Sequence, residues 1–303
     1  MKKKIIIGSR GSKLALIYAE RAKLELLKNQ NVESVEIKSF TTTGDTIKNE
    51  RVSEHGGKGT FCRKIEQELL NDNIDIAIHA LKDMPTDETV GLTTSCFLRR
   101  NDPREILISN NNKNIKELKP KAIVGTSSFR REFQLKNIRK DLEYRLIRGN
   151  VDTRIKKLNE KLYDAIILSY AGIKSLSLEK KITQTFSTSE IIPSAGQGVV
   201  ALQCRNDDQR TIEILDKANH QQTQDCIEAE RNVLKVLEGD CETAVGAFAS
   251  IDGNKINLEA ELFSLDGSKR FYLKLSRNLD KANELGIEVG KTLKKVSNNS
   301  YKK

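Results

Sequence analysis

The most constraining feature of this sequence is the alternation of short apolar runs with amphipathic stretches over roughly its first 200 residues. Lys4–Gly8 predicts a buried strand, Ser12–Asn29 an amphipathic helix, and Val32–Phe40 a second strand with alternating polar and apolar positions. The alternation breaks around Asn101–Pro103 and then resumes as far as the strand predicted at Ala165–Leu168. Strands that alternate with helices are typical of α/β sheets, so the sequence predicts two α/β domains in succession.

The last third of the chain has a different pattern. A long helix is predicted at Thr223–Leu237, followed by strands near Thr243–Ser250, Lys255–Ser264 and Arg270–Ser276 and by a helix at Lys281–Val296. This order predicts a small α+β domain on a three-stranded antiparallel sheet. The length of 303 residues suits two or three domains at roughly 100–200 residues each.

The formal net charge is +10, which predicts a negatively charged partner: a nucleic acid, an anionic membrane or a small acidic substrate. The absence of tryptophan and an aromatic content of 5% argue against nucleic acid, because such binding relies on stacking aromatic side chains. The longest uncharged stretch, Ile191–Cys204, is too short to span a bilayer. The apolar run after the basic start is too short for a secretory signal, so we expect a cytoplasmic protein.

The five cysteines are odd in number and widely spaced, which argues against a disulfide framework or a zinc site. Cys241 is the cysteine that we expect on an accessible loop, because Gly239 can end the preceding helix. Its thiol could therefore serve as a nucleophile or as an attachment point. An inert cysteine is the alternative interpretation of this position.

Arginines are concentrated where predicted strands lead into helices, at Arg10, Arg130, Arg131, Arg148 and Arg154. Helix N-termini attract anions, and the ends of strands are where open α/β sheets bind ligands. Guanidinium groups pair with carboxylates through two parallel hydrogen bonds, so the cluster indicates a polycarboxylate or polyphosphate ligand. For any one of these arginines taken alone, a solvated basic surface is the alternative.

The segment from His79 to Pro85 follows a predicted buried strand directly, so Asp83 should lie at the rim of the first sheet. Beside Lys82, its carboxylate is placed to transfer a proton or to stabilise a cationic intermediate. A turn aspartate ahead of Pro85 is the alternative interpretation. His79, at the start of this segment, is interpreted as a packed or supporting histidine rather than a base.

Seven motifs resemble those of the porphobilinogen deaminase (hydroxymethylbilane synthase) family and follow the family's order along the chain. They are Arg10-x-Ser12-x-Leu14-Ala15-Leu16, Gly57-Lys58-Gly59-x-Phe61, His79-x-x-Lys82-Asp83-x-Pro85, Gly125-Thr126-Ser127-Ser128-x-Arg130-Arg131, Arg148-Gly149-Asn150-Val151-x-Thr153-Arg154, Pro193-x-x-Gly196-Gln197-Gly198 and Leu237-Glu238-Gly239-x-Cys241. Any one of them is a weak signal, whereas coincidence does not explain seven in order.

The resemblance implies a transferase that condenses four porphobilinogen molecules head to tail, with release of ammonia, to give hydroxymethylbilane for tetrapyrrole (haem) biosynthesis. It implies a dipyrromethane cofactor, made from the same substrate and attached as a thioether to Cys241. Asp83, with Lys82, matches the catalytic position, where a carboxylate stabilises the cation formed when the substrate loses ammonia. No metal is implied.

The resemblance also assigns the other site residues. The residues that match cofactor-binding positions, besides Cys241, are Ser12, Lys82, Asp83, Thr126, Ser128, Arg130, Arg131, Arg154 and Gln197. The residues that match substrate-binding positions are Arg10, Arg148, Arg154 and Phe61. The polar, glycine-containing segment Thr41–Thr60 is expected to act as a lid over the cleft.

Three positions depart from the commoner family pattern, at Lys13, Asp240 and Ser175. Ser175 matters most, because many members have another substrate-binding arginine there. The neighbouring Lys174 is expected to compensate for it.

The implied fold is α/β, with two doubly wound domains that resemble halves of periplasmic binding proteins and a small C-terminal α+β domain with a three-stranded antiparallel sheet. The expected domains are residues 1–98 with 199–218 (lid and catalytic carboxylate), residues 103–193 (arginine-rich binding) and residues 220–303 (attachment cysteine). We expect a cytoplasmic monomer with no nucleic-acid or membrane partner. The alternative function is a non-catalytic two-domain anion-binding sensor or solute-binding module, which would share the cleft and its arginines.

Overall fold

The computed structural model describes residues 2–46, 59–238 and 243–302. Most of the predicted lid, residues 47–58, and the predicted attachment residue Cys241 lie outside the described residues. The helices and strands in chain order are β1 (Lys3–Arg10), α1 (Lys13–Leu26), β2 (Val32–Phe40), α2 (Thr43–Thr46), α3 (Arg63–Leu70), β3 (Ile76–Ala80), β4 (Leu92–Phe97), β5 (Glu105–Ser109), β6 (Ile123–Gly125), α4 (Phe129–Ile138), β7 (Glu143–Arg145), α5 (Val151–Asn159), β8 (Ala165–Ser169), α6 (Tyr170–Ser175), β9 (Gln184–Thr185), β10 (Val200–Arg205), α7 (Gln209–Ala218), α8 (Gln221–Leu237), β11 (Val245–Asp252), β12 (Lys255–Phe263), β13 (Arg270–Asn278) and α9 (Ala282–Ser297). Among the described helices, none is both long and apolar enough to cross a bilayer.

The first sheet has five strands in the order β2-β1-β3-β10-β4. β1 pairs in parallel with β2 and β3, whereas β10 runs antiparallel between β3 and β4. Ile5 and Ile7 pack in the core beneath α1 and α7, and Ile6 packs with Ile65 and Leu69 of α3 on the opposite face. Helices therefore cover both faces of the sheet, which confirms the doubly wound arrangement. The chain returns to this sheet through β10, as the resemblance implies.

The second sheet repeats this plan with the strand order β7-β6-β8-β5-β9. β6 is parallel to β7 and β8, and β5 is antiparallel to β8 and β9. Leu107 packs with Leu135 of α4 on one face, and Ile106 and Ile108 pack with Ile155 of α5 on the other. In each sheet the antiparallel fourth strand, β10 or β5, comes directly after the chain has crossed from the other sheet.

One buried carboxylate ties both crossing segments to the third unit. Arg100, in the first crossing, donates two hydrogen bonds to Glu230 of α8, with nitrogen–oxygen distances of 2.8 and 2.6 Å. Glu230 also accepts hydrogen bonds from the backbone N–H groups of Gly196, in the second crossing, and of Ala249 on β11, both at 2.8 Å. This fully buried side chain therefore joins both crossing segments to the third unit.

The third unit is an antiparallel sheet, β11-β12-β13, covered by α8 and α9. The two helices approach closely at Gly286, where a Cβ atom would lie 2.3 Å from the carbonyl oxygen of Ala229. This arrangement confirms the small α+β domain predicted from the pattern of helix, three strands and helix.

The structure differs from the predicted elements mainly in the second α/β unit. The strand predicted at Tyr144–Ile147 is β7, two residues shorter at its end, and the helix predicted to reach Leu162 ends at Asn159 because Lys161 adopts a left-handed conformation with φ 59°. Helix α6 and strand β9 were not predicted. At six and two residues, they are too short to show a periodic pattern.

Candidate active site

The predicted catalytic residues lie in a short turn that leaves the end of β3. The turn Leu81–Asp83 is 3₁₀-helical, and Leu81 is anchored by its N–H, which donates to the Val199 carbonyl at 3.1 Å. Gly196 packs against this anchor, since a Cβ atom there would lie 2.8 Å from Leu81 Cγ. With Leu81 buried, Lys82 is half-buried and the Asp83 side chain is exposed to the cleft.

A cavity opens beside this turn, with about 600 Å³ of empty space when the adjoining open solvent is included. Its polar wall is formed by Arg10, Ser12, Lys82, Asp83 and Ser169. Ser169 belongs to the second sheet and the other four to the first unit, so the cavity lies between the two α/β units. Phe61 also lines it, with its ring centroid 4.2 Å from Arg10 Cζ in a cation–π contact. The structure thus brings five of the sequence-predicted site residues together.

Positive charges crowd the space around Asp83. Burial lowers the pKa of Lys82 to about 8; Arg131 adds to this shift, and Asp83 and Glu105 oppose it. Burial also lowers the pKa of Arg154 to about 10, with Arg131 and Arg148 adding to the shift and Asp83 opposing it. Cations that lower one another's pKa are stabilised by a bound anion, because it offsets their mutual repulsion. The cleft is therefore suited to carboxylates.

Arg148 has an unused hydrogen-bond donor. Its Nε atom is buried and has no hydrogen-bond partner among the described residues. Burial lowers the pKa of Arg148, the nearby Arg10 adds to that shift, and Asp83 opposes it. Arg10 ends β1 in the first unit and Arg148 lies between β7 and α5 in the second, so the cleft presents cations to a ligand from both units. A buried donor without a partner favours an acceptor supplied by that ligand.

Arg130 and Arg131 are placed differently from a free anion-binding pair. Both are buried, and both contact Glu105, at 2.6 Å from Arg130 to Oε1 and at 2.8 Å from Arg131 to Oε2. Burial raises the pKa of Glu105, but Arg131 and Arg130 more than reverse this effect and lower it to about 2. The carboxylate therefore remains ionised and fixes both guanidinium groups at the start of α4.

Three other predicted residues take part in local structure. Ser128 caps α4, where its hydroxyl accepts from the Arg131 N–H at 3.4 Å, and Thr126 Oγ1 accepts from the Ser128 N–H at 3.1 Å. Gln197 accepts a hydrogen bond from Lys82 Nζ at 3.4 Å and donates one to the Pro103 carbonyl at 2.6 Å. Gln197 thus orients the Lys82 side chain, whereas Thr126 and Ser128 shape the turn that carries the arginines.

Ser175 and Lys174 lie on α6. The Ser175 hydroxyl donates a hydrogen bond to the Ala171 carbonyl at 2.8 Å. Lys174 is exposed. Burial raises the pKa of Asp102, but Arg104 and, to a smaller extent, Lys174 more than offset this effect and lower it. Compensation by Lys174 for the missing arginine stays a prediction.

Sequence reasoning missed two residues of the site. Glu105 is the partner of the arginine pair, and the only signal for it is a charged residue directly before the apolar run of β5. Tyr18, on α1, lines the cavity, and burial and the nearby Asp83 raise its pKa to about 12. Its signal is a hydroxyl on the otherwise apolar face of α1. Within the described residues, no group of three or more His, Cys, Asp or Glu side chains could hold a metal ion.

Comparison with known proteins gives matches along nearly the whole chain. Residues 5–213 match the family model described as porphobilinogen deaminase, dipyromethane cofactor binding domain, and residues 224–295 match porphobilinogen deaminase, C-terminal domain. The porphobilinogen deaminase of Chloroherpeton thalassium is 39% identical over 293 residues, covering 95% of this chain and 93% of the relative. That of Staphylococcus carnosus is 39% identical over 294 residues, covering 96% and 95%. Among solved structures, the methionine-binding protein MetQ has a TM-score of 0.46 at 13% identity, covering 71% of this chain and 89% of that one.

Proposed function

Because the chain belongs to the porphobilinogen deaminase family, we propose that its cleft condenses four porphobilinogen molecules head to tail, with loss of ammonia, into hydroxymethylbilane. This activity makes it a transferase of tetrapyrrole (haem) biosynthesis. The observation that carries the proposal is the exposed Asp83 carboxylate in a cavity that it shares with Arg10 and Lys82. We further propose that the protein acts as a cytoplasmic monomer without a nucleic-acid partner.

The residues of the cleft fit the dipyrromethane cofactor of the family. Each of its rings carries an acetate and a propionate, so the group needs several cations and hydrogen-bond donors. Lys82 and Arg10 line the cavity, and Arg148 has a buried Nε donor to which no described residue is hydrogen-bonded. When bound, dipyrromethane supplies the pyrrole to which the first substrate is joined. Cys241 is proposed as its thioether attachment point from the sequence.

Asp83 is proposed to act on the substrate. The buried Leu81 holds the turn so that the Asp83 side chain faces the cleft. The carboxylate can therefore accept a hydrogen bond from a pyrrole N–H while the substrate loses ammonia. A carboxylate at that position stabilises the positive charge that develops on the ring. Arg10, Arg148 and Arg154, with Phe61 against Arg10, are proposed to hold the acetate and propionate groups of the substrate.

The intact mass of the purified protein tests this function. We expect the mass to exceed that of the sequence by a dipyrromethane and acidic Ehrlich reagent to colour the protein, and we expect Cys241→Ser to lose both. Cys62→Ser is the matched control, because Cys62 lines the cavity but burial raises the pKa of its thiol, which keeps it protonated and weakly nucleophilic. We expect Cys62→Ser to keep the added mass.

The alternative anion-binding module predicts a different result. A folded preparation with neither added mass nor colour, whose Cys241→Ser variant behaves like the parent and which releases no ammonia from porphobilinogen, would contradict the enzymatic proposal.

Lys82 lines the same cavity as Arg10, and we propose that its ammonium group also holds a substrate carboxylate, so that substrate binding depends on pH. Because burial lowers the pKa of Lys82 to about 8, its positive charge is present below that pH and is lost as the pH rises through it. We expect KM for porphobilinogen to rise about tenfold between pH 7 and 9.5, the loss expected for one charge-assisted hydrogen bond. Lys82→Arg keeps its charge over this range, so its KM should stay flat. Equal slopes for the two proteins in steady-state assays would refute this role.

A further inference from the structure

A hydrogen-bonded row of buried polar side chains lies behind the cavity wall. Thr89 Oγ1 donates to Glu66 Oε2 at 3.0 Å, and Gln203 Nε2 donates to Glu66 Oε1 at 3.2 Å. Gln203 Oε1 lies 3.1 Å from His79 Nε2. Glu66, Gln203 and His79 expose 6%, 1% and 5% of their surfaces, so water does not compete for these contacts. This row of side chains links α3, through Gln203 on β10, to His79 on β3.

These hydrogen bonds determine which nitrogen of His79 carries the proton. A carboxylate only accepts hydrogen bonds, so Gln203 must turn its amide nitrogen to Glu66 and its oxygen to His79. An amide oxygen also only accepts, so His79 Nε2 must be the donor. Burial lowers the pKa of His79 to about 4, against the opposing effects of Glu66 and Gln203. The ring is therefore neutral near pH 7, with its lone pair on Nδ1.

The Nδ1 atom of His79 is left to accept a hydrogen bond from a ligand in the cavity. His79 lines the cavity together with Arg10, Lys82 and Asp83. No hydrogen bond joins Nδ1 to another group in the described part of the chain. Because His79 contributes to the cavity wall, a ligand in the cavity is the available partner for this lone pair.

We propose that His79 Nδ1 accepts a hydrogen bond from a pyrrole N–H in this cavity, as a second acceptor beside Asp83. The inference rests on the proposed function, because a pyrrole supplies one N–H per ring and no acceptor of its own on that nitrogen. A neutral acceptor suits the site because a second carboxylate there would pair with the cleft cations and weaken their hold on the substrate's acetates and propionates. An imidazolium would repel the positive charge that develops on the ring.

Nitrogen-15 NMR of labelled histidine tests the proposal directly, since the sequence has only three histidines. We expect the His79 resonances, assigned by their loss in His79→Gln, to show a protonated Nε2 and an unprotonated Nδ1 in the Cys241→Ser protein. On titration with porphobilinogen, the Nδ1 resonance should move upfield as it accepts a hydrogen bond. Saturable binding in calorimetry with an unmoved Nδ1 resonance would overturn the inference but not the function. No calorimetric binding, together with no added mass on the parent, would overturn the function itself.

Two substitutions separate binding from a purely structural role. In His79→Asn, the side-chain oxygen can occupy the position of Nδ1, but the contact with Gln203 is lost. In His79→Gln, the amide can reach Gln203 as Nε2 does, but no acceptor remains at Nδ1. We expect His79→Gln to raise KM about three- to tenfold and His79→Asn to raise it less. The opposite order, with thermal stability following KM, would assign His79 to support of the sheet and contradict the proposal.

Discussion

Asp83→Asn is expected to lower kcat for porphobilinogen condensation by about 10²- to 10⁴-fold, the range for loss of a positioned acid–base or charge-stabilising group. Asparagine keeps the shape of the side chain and one hydrogen-bond acceptor, but it has no negative charge to stabilise a cation on the substrate. Asp83 is exposed and Leu81 provides the anchor of the turn, so the fold should tolerate the change.

The same variant should leave KM unchanged or lower it. Asp83 opposes the burial-induced lowering of the pKa of Lys82, Arg148 and Arg154, so its charge acts on cations that are proposed to bind substrate carboxylates. Removing that charge makes the cleft more positive, and a more positive cleft holds carboxylates at least as well. A fall in kcat without a rise in KM distinguishes a group that acts in the transition state from one that holds the substrate.

Ammonia release under steady-state conditions measures both constants. Asp87→Asn is the matched control, because Asp87 is an exposed carboxylate in the same loop and does not line the cavity. We expect Asp87→Asn to keep the parent's kcat. If both variants turned over at the same rate, or if Asp83→Asn changed only KM, the catalytic assignment would be wrong.

The sheets could be predicted from the sequence as far as their local pattern reaches. Residues 3–10 and 76–80 form buried strands next to amphipathic helices, and the apolar runs in the sequence predict these strands. The position of β10 could not be predicted in this way. Its apolar residues indicate a buried strand, but its antiparallel pairing, such as Leu202 opposite Ile78, joins segments more than a hundred residues apart. Only the resemblance to a family implied that the chain returns to the first sheet.

The candidate site shows the same limit. Asp83 was predictable because a polar segment that follows a buried strand emerges at the rim of the sheet. The state of Arg130 and Arg131 was not, because it depends on a carboxylate 25 and 26 residues earlier in the chain. Local sequence shows that a charge precedes β5, but only the packed structure shows that Glu105 is buried between two guanidinium groups.

Glu105→Gln is expected to lower the free energy of unfolding by about 3–5 kcal/mol, the usual effect of removing one partner from a buried ion pair. Glu105 is fully buried, and it contacts Arg130 at 2.6 Å and Arg131 at 2.8 Å. Glutamine has nearly the same volume, so the loss would come from charge and not from a cavity. The variant leaves Arg130 and Arg131 without the counter-ion that they share, and it removes a charge that opposes the lowering of the Lys82 pKa.

Urea unfolding, followed by hydrogen exchange of the β8 amides, measures this effect in the sheet that holds the pair. Glu143→Gln is the matched control, because the Arg145–Glu143 pair at 3.2 Å is exposed and such pairs contribute about 0–1 kcal/mol. Glu105→Asp retains the charge on a shorter side chain and should recover part of the loss. Equal effects of Glu105→Gln and Glu143→Gln would show that the buried pair does not stabilise the fold.

The pH dependence of the difference identifies ionisation of Glu105 as the cause. The pKa of Glu105 is lowered to about 2 in the folded protein, below the value of about 4.3 for an unfolded glutamate. The stabilisation is therefore fully present above about pH 4.3 and is lost as the pH falls towards 2. Glutamine does not titrate, so the gap between parent and Glu105→Gln should be constant from pH 7 to 5 and narrow below about pH 4. A gap that stayed constant below pH 4 would assign the loss to altered packing of α4 against β5 rather than to the charge of Glu105.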